Sequence, residues 1–241
     1  MISSTTCKSK LPIRVESRAD RFDAALPSSI VSWFGGLEAK HQGVRFSVRP
    51  TSSTGEKLGV EGREKREREF LLGRRGTAQL LLERGVHQPV GVNHDRSPIW
   101  PEGFIGSISH SDHWTIATVG PSRAGRSVGV DTEPIMLAET AQLIAGDIAT
   151  KQEILLATES GLVKTPALTL IFSAKESFYK CWYPITKRFL EFHDVAVVSV
   201  TDSYLKLRRV GASQSEEADL IVEYHLSDSD VFTFAAMGGE Q

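Results

Sequence analysis

Three short stretches of this chain carry side chains that could act on a phosphate. The first is Asp131-Thr132-Glu133, at the end of a strand-like run. Alternate residues of an extended chain point to one side, so the two carboxylates face the same way. Paired oxygen ligands suit Mg²⁺, which takes a few carboxylates and fills its shell with water and substrate phosphate. The same residues before Pro134 also suit an ordinary strand end and turn. The second stretch, Gly106-Ser107-Ile108-Ser109-His110-Ser111, offers hydroxyls and backbone amides to phosphate oxygens. His110 could donate to a phosphate once protonated, although a polar hairpin turn would use the same residues. A Ser-His dyad is disfavoured, because neighbours on a strand point to opposite faces.

The third stretch is Phe172-Ser-Ala-Lys-Glu176-Ser-Phe-Tyr-Lys180. On a helix Glu176 and Lys180 lie one turn apart on one face, while Lys175 points elsewhere. One reading is a surface ion pair, which is common and contributes little. The other is a metal or proton-transfer carboxylate beside a phosphate-binding lysine. Asp131, Glu133 and Glu176 would then hold Mg²⁺, with Lys180, His110, Arg74 and Arg96 supplying positive charge around a polyphosphate. No P-loop or Gly-x-Gly-x-x-Gly turn is present, which disfavours an ordinary nucleotide kinase or ATPase.

The elements that must position these residues follow from periodicity and breakers. A structured piece begins at Ile30, with Gly35-Gly36 as a breaker, and residues 48–59 form a loop. A helix runs from Gly62, its charged start solvated to Glu69 and its apolar face beginning at Phe70, Leu71 and Leu72, toward Gly85 as its cap. Strands are expected at 104–109, 114–119 and 127–130, helices at 138–157 and 166–183, and four alternating segments after residue 194. This is an α+β pattern with antiparallel hairpins and no regular βαβ alternation.

With 241 residues, 40% hydrophobic and 24% charged, and a net charge of -2, the chain has ordinary globular composition and no bulk signal for nucleic acid. No apolar run is long enough to span a membrane, and the first ten residues lack a signal-peptide core. Cys7 and Cys181 fit neither a disulfide framework nor a metal motif, and Cys181 reads as a small buried side chain. A cytoplasmic setting is expected.

Arg96-x-Pro98-x-Trp100-Pro101, Gly106-Ser-Ile-Ser-His110, Gly129-Val-Asp131-Thr-Glu133 and Phe172-Ser-Ala-Lys-Glu176-x-x-x-Lys180, in this order, resemble the 4'-phosphopantetheinyl transferases of the siderophore-synthase (enterobactin) type. Glu69-Phe70-Leu-Leu-Gly73-Arg74 adds to the likeness, which covers residues 60–200. The resemblance implies transfer of the phosphopantetheine arm of coenzyme A to a serine of an apo acyl, peptidyl or aryl carrier protein, releasing adenosine 3',5'-bisphosphate. It implies that Asp131, Glu133 and Glu176 hold Mg²⁺ and that Glu176 receives the serine proton. Lys180 would clamp the pyrophosphate, Ser109 and His110 would contact phosphates, and Arg74 and Arg96 would meet the 3'-phosphate and adenine end. Leu190 would touch the pantetheine arm. The implied fold is a pseudo-twofold pair of similar α/β halves with the site between them. Residues 1–130 would form the coenzyme A side and 131–241 the metal and catalytic side of a monomer. Arg123, Arg126, Lys187 and Arg188 are candidate contacts for an acidic carrier helix. The competing readings are a Mg²⁺-dependent phosphohydrolase acting on coenzyme A or a nucleotide, and a non-catalytic coenzyme A-binding module.

Overall fold

A computed structural model describes residues 21–51, 62–122, 127–211 and 219–238. Cys7, Arg123 and Arg126 lie outside the described residues. The chain begins with α1 (Ser28–Lys40), β1 (Arg45–Pro50) and α2 (Gly62–Leu82), followed by a small hairpin of β2 (Gly91–Val92) and β3 (Pro98–Ile99). Three longer strands come next, β4 (Phe104–His110), β5 (Trp114–Pro121) and β6 (Ser127–Pro134). After them come α3 (Ala138–Ile148), α4 (Lys151–Glu159) and α5 (Lys164–Thr186), then β7 (Val195–Val200), β8 (Tyr204–Arg209), β9 (Leu220–Leu226) and β10 (Asp230–Met237). The mixed helix-and-sheet class matches the expectation. Gly35 and Gly36 do not break α1, because a packed apolar face (Ile30, Phe34, Leu37) outweighs the low helix propensity of two glycines. The expected helix over 138–157 is two helices. Thr150 starts the second with a capping box, its side chain accepting from the Glu153 amide while Glu153 bonds back to the Thr150 backbone.

Two antiparallel sheets carry the architecture. One has the order β1-β5-β4, the other β6-β10-β9-β8-β7. The free edges β4 and β6 lie side by side, and the Val130 amide on β6 donates to Ser107 Oγ on β4 at 3.1 Å. A side chain thus satisfies an edge group that has no strand partner on that side. β6 pairs with β10 along its whole length, from Ser127 opposite Met237 to Pro134 opposite Asp230. Alternation along both strands divides two cores. Val128, Val130, Phe232 and Phe234 pack with Phe34, Phe46 and Ile116 from α1 and the first sheet. Val231 and Ala235 join α5 in the other cluster, with Ala167, Leu170, Ala174 and Phe178.

Both long helices approach their sheets through glycine. On α2 the buried face is Glu69, Gly73, Gly76, Thr77 and Leu80, whereas Phe70 and Leu71 are exposed, so the packing face is not the one the apolar residues suggest. A Cβ at Gly73 would stand 2.7 Å from the Ile108 side chain. On β6 the constraint is tighter. A Cβ at Gly129 would fall 1.9 Å from the Ser177 carbonyl oxygen and 2.8 Å from the Cys181 nitrogen. The backbone of α5 therefore rests directly on the backbone of β6. Cys181 is fully buried in this contact, and burial pushes its thiol up to about 12, in keeping with an inert role.

Gly129→Ala is expected to cost about 3 kcal/mol, because neither backbone can give way to the methyl group. Gly146→Ala, on α3 with open space around its Cβ position, should be neutral or stabilising by about 0.5 kcal/mol or more. Urea unfolding followed by circular dichroism would check both, and equal stability of the two variants would refute the contact argument.

Candidate functional site

The seam between the β4 and β6 edges, covered by α5, holds the polar residues. Lys180 Nζ donates to Asp131 Oδ1 at 2.6 Å and to Ser109 Oγ at 2.9 Å, while Ser109 Oγ itself donates to Asp131 Oδ1 at 2.7 Å. Three elements thus meet in one hydrogen-bonded triangle. Asp131 is 2% exposed, and the Lys180 side chain 26%. The ion pair of Lys180 crosses the fold to Asp131, so the surface-pair reading with Glu176 does not hold. Ser173 and Ser177, on the neighbouring face of α5, bond to Thr233 of β10 at 2.9 and 2.7 Å and fix the rotation of the helix over the sheet.

Electrostatics join Glu133 and Glu176 to this triangle. Burial, and then the charge of Asp131, pushes the Glu133 carboxyl up to about 8, with Lys180 opposing. Burial also raises the pKa of Glu176 above the ordinary carboxylate range, Lys180 opposing and Asp131 adding to the rise. For Lys180 burial favours the neutral amine, but Asp131, Glu176 and Glu133 outweigh it and hold the pKa above the ordinary lysine value. Three carboxylates around one ammonium leave a surplus of negative charge.

That surplus is the test of the implied metal. Asp131 Oδ2 is buried with no hydrogen-bond partner among the described residues, an open oxygen ligand beside two more carboxylates. The donor set therefore suits a hard divalent cation. Among the described residues no three His, Cys, Asp or Glu side chains already stand around one point. The ammonium of Lys180 stands on Asp131 instead.

The other expected site residues are arranged more loosely. His110, the residue after Ser109, is exposed, its Nδ1 3.5 Å from Glu69 Oε2. Glu69 is buried against the expectation of a solvated face, since it sits on the α2 stripe that packs on the sheet. Its position four residues before Gly73 on that stripe was the sequence signal for it. Arg74 Nη1 donates to the carbonyls of Val90 at 2.8 Å and Gly91 at 2.9 Å, and the guanidinium lies 4.9 Å from the Phe70 ring centroid. Burial lowers the Arg74 pKa from its ordinary value. Arg96 is exposed at the tip of the β2–β3 hairpin.

Two features were not read from the sequence. A cavity of about 140 Å³ is lined by Lys175, Glu176, Tyr179, Phe189, Leu190 and Phe192. Its wall is braced from behind by Lys175, whose ammonium donates to the carbonyls of Ile148 at 3.0 Å and Phe192 at 2.9 Å and pairs with Glu153 at 2.7 Å. Burial lowers the Lys175 pKa against the pull of Glu153. The second feature is a hydrogen bond from Tyr183 Oη to Asp95 Oδ2 at 2.6 Å, which ties the hairpin to α5. The second has no local sequence signature, because Tyr183 and Asp95 lie 88 residues apart in the chain.

Two family models match the chain. The 4'-phosphopantetheinyl transferase N-terminal domain matches residues 60–120, and the 4'-phosphopantetheinyl transferase superfamily matches residues 127–234. The chain is 35% identical to 4'-phosphopantetheinyl transferase Npt of Nocardia iowensis over 136 residues, 56% of this chain and 60% of that protein. It is 34% identical to enterobactin synthase component D of Salmonella typhimurium over 174 residues, 71% of this chain and 72% of that protein. It is also 34% identical to 4'-phosphopantetheinyl transferase PptT of Mycobacterium tuberculosis over 140 residues, 58% of this chain and 61% of that protein.

The Glu133 carboxyl titrates near 4.5 when unfolded and near 8 when folded, so the folded state keeps an extra proton between those values. Its contribution to stability is complete below the lower value and is lost as pH rises through the upper one. The metal-free protein should lose thermal stability between about pH 5 and pH 8, and Glu133→Gln should flatten that loss. Unfolding midpoints across this range, with the same slope in both proteins, would exclude Glu133 as its source.

Proposed function

The chain belongs to the 4'-phosphopantetheinyl transferase superfamily, and on that premise we propose that it transfers the 4'-phosphopantetheine arm of coenzyme A to a serine of an apo carrier protein. The observation that carries this reading is the triangle of Ser109, Asp131 and Lys180, with the raised Glu133 and Glu176 carboxyls beside it. A protonatable carboxylate, a cation and an unpartnered oxygen ligand are what a phosphoryl-type transfer needs in one place.

In the proposed reaction the carrier serine oxygen bonds to the β-phosphorus of coenzyme A. The bond from that phosphorus to the bridging oxygen breaks, and adenosine 3',5'-bisphosphate leaves. Glu176 receives the serine proton, a role suited to a carboxyl whose pKa burial has moved toward neutrality. Lys180 turns from Asp131 toward the pyrophosphate and balances charge on the departing oxygen. Asp131, Glu133 and Glu176 would hold Mg²⁺, which supplies neutralisation of the pyrophosphate when bound. Ser109 and His110 contact phosphate oxygens, and Arg74 and Arg96 serve the 3'-phosphate end. The cavity beside Glu176, with Leu190 and Phe189 in its wall, accommodates the pantetheine arm. Both sides of the seam come from one chain, so a monomer suffices. No single described helix is long and apolar enough to cross a membrane. The name of the Salmonella relative favours siderophore assembly, with non-ribosomal peptide and polyketide carriers as further acceptors.

Incubation with apo carrier, coenzyme A and Mg²⁺ should add the mass of one phosphopantetheine arm to the carrier. No added mass on acyl, peptidyl and aryl carriers alike would overturn the proposal. Release of adenosine 3',5'-bisphosphate without any carrier would favour the phosphohydrolase reading. Glu176→Gln is expected to lower kcat by about 100-fold or more while leaving the circular dichroism spectrum unchanged.

A further inference from the structure

The hairpin that bears Arg96 is fastened at both ends. At its base, Arg74 holds the carbonyls of Val90 and Gly91. At its tip, Asp95 works in two directions. Its Oδ1 accepts from the Ser97 amide at 2.9 Å and from Ser97 Oγ at 2.6 Å, bracing its own turn. Its Oδ2 accepts from Tyr183 Oη at 2.6 Å, across to α5. Backbone bonds from the Asn93 amide to the Ser97 carbonyl and from the Arg96 amide to the Asn93 carbonyl, both 2.9 Å, close the turn.

Between these fastenings Arg96 adopts φ 69°, in the left-handed region. A residue with a long side chain rarely takes that conformation unless its surroundings impose it. The helix side of the fastening is equally specific. Glu176, Lys180 and Tyr183 stand at i, i+4 and i+7 on α5, one continuous stripe. Tyr183 thus carries the line of Glu176 and Lys180 one turn further and there meets the hairpin. Tyr179, one turn earlier on α5, has its ring centroid 5.5 Å from that of Tyr183 and supports its orientation.

We propose that Asp95 and Tyr183 form a strap that holds the hairpin turn against the catalytic helix and so positions Arg96 for the 3'-phosphate of coenzyme A. The inference rests on the transferase reading of the site. Asp95 and Tyr183 are positioning residues that act through Arg96. Removing the Tyr183 hydroxyl would leave the Ser109, Asp131 and Lys180 triangle intact but let the Arg96 turn drift.

The test compares wild type, Tyr183→Phe, Arg96→Ala and the double variant. Calorimetric titrations with coenzyme A and with 3'-dephospho-coenzyme A would accompany kcat and KM for carrier modification. Tyr183→Phe is expected to weaken coenzyme A binding and raise its KM by about fivefold with kcat unchanged. It should leave 3'-dephospho-coenzyme A binding as in wild type, and in the Arg96→Ala background it should add nothing. Wild-type coenzyme A affinity in Tyr183→Phe would overturn the strap. So would equal weakening of both ligands, or a full further loss in the double variant. A wild-type protein that neither binds coenzyme A nor modifies any carrier would overturn the transferase reading, and the strap's purpose with it.

Discussion

One ammonium group holds the seam of this protein together. Lys180 reaches from α5 to Asp131 on the edge of one sheet and to Ser109 on the edge of the other. Neither edge strand has a backbone partner across the seam, and the two are joined by side chains. The reach of Lys180 is possible only because α5 sits directly on β6. Gly129 sets that distance, and the Ser173 and Ser177 bonds to Thr233 set the rotation. A side chain at position 129 would lift the helix, and with it the only positive charge that faces the three carboxylates in this part of the described residues. Packing and electrostatics are therefore not separable here.

Much of this was legible in the sequence, for a physical reason. Strand alternation places Asp131 and Glu133 on one side of β6, and helical spacing places Glu176 and Lys180 on one face of α5. Those local rules hold because both elements are long and well packed. What was not legible depended on which face a helix buries. On α2 the apolar residues Phe70 and Leu71 are exposed while Glu69 is buried, since glycines at 73 and 76 allow the closest approach to the sheet on that stripe. Composition alone could not reveal that two missing side chains outweigh two large apolar ones. The ion-pair partner of Lys180 was hidden for a related reason. Its neighbour one turn away was visible in the sequence, whereas Asp131 lies 49 residues away and only the fold brings it near.

Long-range polar ties share this invisibility. Lys175 stands next to Glu176 in the chain but turns to another side of the helix, where it joins the end of α3, the start of α4 and the residues just before β7. A buried ammonium with three acceptors is costly to leave unpaired, which fixes the register of α5 against the cavity wall. Glu153 completes this anchor while it also caps α4, so one carboxylate satisfies the Thr150 amide, the Val197 amide and Lys175. Burial would raise its pKa, but these bonds reverse the effect and hold it below the ordinary value. The contrast with Glu133 and Glu176 is instructive. Carboxylates that have their donors remain charged and structural, whereas those without donors are pushed toward protonation.

The same contrast separates the seam from the Lys175 anchor. At the anchor, charge is matched one to one and every donor is used. At the seam three carboxylates face one ammonium, and Asp131 Oδ2 has no hydrogen-bond partner among the described residues. A fold selected for stability alone would neutralise or replace such a group, because a buried unpartnered oxygen and a surplus of like charge both destabilise the folded state. The surplus can be relieved by a proton on Glu133, or by a divalent cation among the carboxylates. The first relief is lost as pH rises through about 8. A cation that neutralises the carboxylates also weakens their hold on Lys180. On the transferase reading, the lysine would then be free to face a pyrophosphate, whose charge would replace that of Asp131. On that reading, the unbalanced charge of the seam and the neutralisation of a bound pyrophosphate are one and the same interaction.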